Sequence, residues 1–174
     1  MICEGMVCVP AGYWNSLMHL SVEHVIAAPA DALFALTLDV QRFPQLFTGC
    51  GPVPGLRCIE HNSPPGIGAT RRVESMDGAC MIETITFLDP PRRHAYRLSG
   101  LRPPLAWLAR VGHANWTFSE EATGTRVRWT YDWEPASVFT RPLAWLLLKV
   151  FMRTAMTRCL RAMAQSARPV GEAA

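Results

Sequence analysis

From Thr140 onward, Pro142 sits where a first helical turn tolerates it, and no further proline or glycine interrupts the chain until Pro169. That is room for a helix of about seven turns. At 100° per residue, Ala144, Trp145, Leu148, Phe151, Met152, Ala155, Met156, Cys159, Ala162 and Met163 fall in one arc, and Lys149, Arg153, Arg158 and Arg161 fall mostly outside it. A helix so long and so one-sided needs a broad apolar surface to lie on, and the rest of the chain must supply it.

Upstream the period changes to two. The stretch "GTRVRWTYDWEP", Gly124 to Pro135, sets Val127, Trp129, Tyr131 and Trp133 on one side of a strand and Arg126, Arg128, Thr130 and Asp132 on the other. Further strands are expected at about 19–27, 53–61, 69–75, 79–88, 92–99 and 109–119, punctuated by "MDG", "DPPR", "LRPP" and "EEATG". After the first strand, Pro29 opens a helix to Leu38, and "DVQRFPQLF" gives a second short helix or turn. Short links between successive strands demand antiparallel pairing, so the pattern predicts an α+β domain. A curved antiparallel sheet of about seven strands wraps one long C-terminal helix, with two short helices after the first strand. The domain is expected over residues 18–168, with 1–17 a poorly ordered extension and 169–174 a flexible tail.

Composition removes several function classes. Half the residues are apolar, 49%, and 18% are charged, which fits a compact globular chain. The net charge is +3, and the arginines are scattered rather than run together, which argues against nucleic acid as a partner. Arg71-Arg72 and Arg92-Arg93 read as solvated strand or turn positions. Six cysteines without a C-x-x-C pair or a secretory leader predict reduced thiols and a cytoplasmic location. "PLAWLLLKVFM" is too short to span a bilayer. The histidines His19, His24, His61, His94 and His113 show no paired helical spacing, so no metal is expected. "PPGIGATRR" lacks the third glycine of a dinucleotide fingerprint, and no cofactor is expected.

The order of elements, with "IAAPADALFALTLDVQRFPQLF", "ETITFLDPPRRHAYRL", "GTRVRWTYDW" and the long last helix, resembles the START/Bet v1-like superfamily over about residues 18–167. Within it the chain is similar to polyketide cyclase/dehydrase-like and lipid-transfer domains. "DVQRFPQLFTGC" also looks like the start of the ubiquinone-binding cyclase-like members, from which "GPVPG" and "ETITF" depart. The resemblance implies a helix-grip fold with a cavity between sheet and last helix that holds a hydrophobic or aromatic small molecule of the polyketide, quinone or lipid class.

The residues suit such a cavity. Tyr96, Trp116, Phe118, Trp129, Tyr131 and Trp133 offer aromatic walls, and Leu148, Met152 and Met156 an adaptable helix face. Three side chains could carry chemistry. Glu83 shares a strand face with Met81, Ile85 and Phe87, so its carboxylate is either an interior general base or the partner of Arg71 or Arg97 on a neighbouring strand. His94 and Tyr96 share a face with Leu98 and would orient an enolisable substrate, or else His94 is a satisfied core histidine. Two functions therefore stand beside each other: reversible binding of a hydrophobic molecule, and a polyketide cyclase/dehydratase-like enzyme in which Glu83, His94 or Tyr96 moves a proton. A purely structural or interaction role is the third, and a cavity too small for a ligand would favour it. Leu143, Leu146, Leu147 and Val150 lie opposite the buried arc, and their cover would be the first seventeen residues, a second copy of the chain, or a membrane surface.

Overall fold

The aromatic stretch Gly124–Pro135 forms β9, an interior strand hydrogen-bonded to β1 (Met18–Ile26) on one side and β8 (Ala109–Glu121) on the other. In this computed structural model, residues 17–103 and 105–167 are described; the expectations for 1–16 and 169–174 fall outside them. After β1 come α1 (Ala30–Leu38) and α2 (Phe43–Leu46), then a two-stranded ladder of β2 (Gly49–Cys50) and β3 (Val53–Pro54). The remaining strands are β4 (Leu56–His61), β5 (Thr70–Ser75), β6 (Cys80–Asp89) and β7 (Arg93–Ser99). The main sheet has seven strands in the order β1-β9-β8-β7-β6-β5-β4, with every neighbouring pair antiparallel.

Two elements differ from the sequence expectation. The expected strand over 53–61 is divided at Gly55: β3 folds back on β2, and only Leu56–His61 joins the main sheet. "LRPP" is followed by a one-turn helix, α3 (Leu105–Leu108), because the apolar "LAWL" buries Leu105 before β8 begins.

The long helix is present but broken in phase. It runs as α4 (Arg141–Leu147), a π-helical turn (Leu148–Met152) and α5 (Arg153–Ser166). In unbroken α-helix Trp145 and Met156, about three turns apart, would share a face. The π turn inserts one extra residue, so the buried phase upstream falls on Ala144, fully buried, and not on Trp145, which is 41% exposed. The placement of Trp145 in the buried arc is thereby corrected, and its ring instead carries Lys149 Nζ at 4.3 Å from the centroid. Leu148, Met152, Ala155, Met156, Cys159 and Met163 are buried, whereas Phe151 and Ala162 are half-buried. Leu143, Leu146 and Val150 stand exposed on the outer side, with Leu147 half-buried.

The sheet's inner face shows the same logic at period two. Val127, Trp129, Tyr131 and Trp133 of β9 are buried, as are Ala114, Trp116 and Phe118 of β8, while His113 and Asn115 fall on the other face. Trp116 stacks on Trp129 across the two strands at 4.2 Å between centroids, and along β9 Tyr131 stacks on Trp133 at 4.3 Å. Gly112 leaves the space that Tyr131 and Trp133 occupy, since a Cβ there would run into both rings. Gly112→Ala is therefore expected to lower stability by about 1–3 kcal/mol, read as a shifted urea midpoint with unchanged slope. A variant as stable as the parent would show that the rings have room to move.

Candidate functional site

Between the sheet and the last helix lies an apolar concavity at the end of the domain where the β5–β6 turn, the β2–β3 ladder and α3 come together. Its wall includes Trp129, Tyr131 and Trp133 from β9, Val73, Met81 and Leu98 from the middle strands, Phe43 and Phe47 around α2, and Met152 from the π turn. Leu105 and Arg102 border it on the α3 side, with Asp77 and Ala79 opposite. The interior void is small, about 60 Å³; with the space between the wall side chains and at the mouth included, it measures about 660 Å³.

Glu83 and Tyr96 reach this wall from the middle strands, β6 and β7. Glu83 is not a free carboxylate. Arg71 stands directly opposite it on β5, and its Nη2 donates to Glu83 Oε2 at 2.5 Å, with both side chains almost wholly buried. Arg71 Nη1 also donates to the Thr37 carbonyl at 3.4 Å, and its guanidinium lies 6.0 Å from the centre of the Tyr96 ring. The pair joins the cavity wall to the end of α1, and Arg97, the other sequence candidate, pairs in register with Thr84 and points outward.

His94 is fully buried and does not border the cavity. Its ring lies parallel to Trp116 at 6.3 Å and edge-on to Phe34 at 5.9 Å. The Thr37 hydroxyl gives its single proton to the Phe34 carbonyl at 2.7 Å, so it can only accept from His94 Nδ1, 3.4 Å away, and this assigns the proton of the neutral ring to Nδ1. Burial, and secondarily the Arg71 charge, pushes the His94 pKa down to about 3, so the imidazole is neutral at physiological pH. Tyr96 and Tyr131 both border the cavity; burial first, with the Glu83 carboxylate contributing, holds both phenols above their ordinary range. Their rings meet edge to face at 6.1 Å. Cys159 is a buried thiol pushed up to about 12 by desolvation, which makes it a core residue and not a nucleophile.

Of the side chains proposed from sequence, Glu83, Tyr96, Trp129, Tyr131, Trp133 and Met152 come together on the wall. Trp116, Phe118, Leu148 and Met156 are buried in the core beside it, and His94 lies beyond Tyr96 under α1. The lining from α2, the β2–β3 ladder and α3 is not among the sequence candidates: Phe43, Phe47, Val53 and Leu105 border the cavity. The apolar positions of "RFPQLF" were the available signal. Phe87 leaves the Glu83 face because a bulge between Ile85 and Phe87 reverses the alternation, and its exposed ring is covered by Arg93. Among the described residues no three His, Cys, Asp or Glu side chains gather as a metal site, and no helix is long and apolar enough to cross a membrane.

The chain belongs to the family described as polyketide cyclase / dehydrase and lipid transport, whose model matches residues 18–168. No curated protein matches it by sequence. Solved structures share the fold at low identity. The protein MLL2253 from Mesorhizobium loti is 14% identical with a TM-score of 0.62, over 84% of this chain and 94% of that one. Ara h 8.0201 is 13% identical with a TM-score of 0.67, over 87% and 97%. The di-domain ARO/CYC StfQ of the steffimycin biosynthetic pathway is 11% identical with a TM-score of 0.67, over 89% of this chain and 52% of StfQ, so this chain spans about half of that protein. The architecture is the Bet v1-like helix grip.

Proposed function

We propose that the protein reversibly binds a hydrophobic, ring-bearing small molecule in the cavity between β9 and the π turn, as a carrier or sequestering protein and not as a proton-transfer catalyst. The observation that carries this reading is the Arg71–Glu83 pair: the one carboxylate deep in the wall is held by a buried arginine on the adjacent strand. A general base needs a lone pair directed at substrate and a pKa matched to its task. The Glu83 oxygen is instead committed to a guanidinium, the two phenols hold their protons firmly, and His94 stands away from the cavity. The family description pairs polyketide chemistry with lipid transport, and both roles require an apolar pocket. The stacked rings of Tyr131 and Trp133 and the face of Trp129 on the wall support a ring-bearing ligand over an acyl chain, and StfQ, an ARO/CYC of the steffimycin biosynthetic pathway, shares the fold.

A void of about 60 Å³ does not hold a ring system as it stands, so binding must widen it. The side chains able to yield are Met152, with its unbranched thioether, and Leu105 on the one-turn α3. Val73→Phe fills the void from its wall and is expected to weaken an apolar fluorescent probe at least tenfold, about 1.4 kcal/mol. Arg128→Ala, on the outer face of β9 and paired there with Glu23, is expected to leave binding unchanged. Equal losses in the two variants, or none in either, would place the ligand elsewhere. Native mass spectrometry of protein purified without detergent then identifies what the cavity carries.

A further inference from the structure

Buried indole N–H groups normally find an acceptor, because a donor taken out of water and left unpaired costs about 1–3 kcal/mol. Five buried side-chain nitrogens here have no hydrogen-bond partner among the described residues: Arg71 Nε, His94 Nε2 and the Nε1 atoms of Trp116, Trp129 and Trp133. Two of the five, Trp129 and Trp133, belong to side chains that border the cavity. Both are almost completely buried and both are stacked, Trp129 against Trp116 and Trp133 against Tyr131.

We propose that the indole N–H groups of Trp129 and Trp133 are the donors that receive acceptor oxygens of the ligand, so that the cavity selects neutral, carbonyl-bearing aromatic rings over plain hydrocarbons of the same shape. This rests on the cavity being a ligand site. The remaining polar groups of the wall narrow the class further. A ligand carboxylate would lie beside Glu83, whose countercharge is already taken by Arg71, and a ligand cation would have to compete with Arg71 for that carboxylate. A ketone or quinone oxygen carries no charge to compensate and matches a pair of fixed donors. The Tyr96 and Tyr131 hydroxyls hydrogen-bond to each other and keep their protons, so they bring no charge to the site.

The test uses matched pairs, 1-tetralone with tetralin and 9-fluorenone with fluorene, titrated into the full-length protein and into Trp129→Phe and Trp133→Phe, which keep an aromatic face and remove the N–H. Each variant is expected to weaken the ketone roughly five- to tenfold, the scale of one buried hydrogen bond, and to leave the hydrocarbon within about twofold. In the parent protein, the ketone but not the hydrocarbon is expected to move the indole Nε1–H resonances of Trp129 and Trp133 downfield, a readout that does not depend on how well the variants fold. If ketone and hydrocarbon change together in the variants and shift the indole signals alike, the donor role is overturned and the cavity reading survives. If neither compound binds the parent protein, the cavity reading falls and this assignment with it.

Discussion

Arg71→Met on its own is expected to lower the unfolding free energy by about 3–5 kcal/mol, a large part of the stability of a domain this size. The loss comes from what it leaves behind. Glu83 would remain on the wall of an apolar cavity with its countercharge gone, and the Thr37 carbonyl would lose its donor at the end of α1. Pairing the change with Glu83→Leu removes the stranded charge, and the double variant is expected to recover most of the loss, since apolar replacement of a whole buried pair is often neutral or stabilising. Urea unfolding of both single variants and the double closes the cycle. A double variant no more stable than Arg71→Met would mean that the pair matters for packing and not for charge. The double variant also bears on function, because a carrier should still bind its apolar probe without either ionised group.

The second large effect is acid destabilisation through His94. Its folded pKa of about 3 lies below the ordinary value of 6.5, so the unfolded chain takes up a proton that the native core refuses. Stability from this site is fully present above pH 6.5 and is lost as pH falls towards 3, at about 1.4 kcal/mol per pH unit. Between pH 6.5 and 4.5 the loss is expected to be roughly 2–3 kcal/mol. His94→Phe keeps a ring against Trp116 and Phe34 and removes the titration, so its stability should fall distinctly less over the same range. Parallel stability profiles for the two proteins would show that His94 is reached by solvent or protonated in the fold.

Periodicity made the sheet and its faces legible because a strand's alternation is local: Trp129, Tyr131 and Trp133 point inward for the reason that Arg126 and Arg128 point outward. Glu83 was readable as an inward carboxylate with Arg71 as a candidate partner, because neighbouring antiparallel strands bring such residues into register. Which part of the inner face is cavity and which is core was not readable. His94 and Tyr96 share one face of β7, yet α1 lays Phe34 and Thr37 over His94 and leaves Tyr96 to the cavity. That division depends on where a helix far away in sequence comes to rest. The phase break in the last helix was equally hidden, because "LKVFM" contains no glycine or proline and reads as ordinary α-helix. The bulges beside Phe87 and between Leu56 and Cys58 are the same kind of feature, one residue that shifts every later one.

The π turn divides the last helix into two halves that answer to different neighbours. Deleting one residue between Leu148 and Met152 would let it run as plain α-helix with Ala144 and α5 both keeping their inward phase, whereas the full-length segment run as plain α-helix would turn Trp145 inward in place of Ala144. The π turn is thus a length buffer: it takes up one residue of the chain and keeps an alanine, and not an indole, on the inner side of the grip, with the sheet untouched.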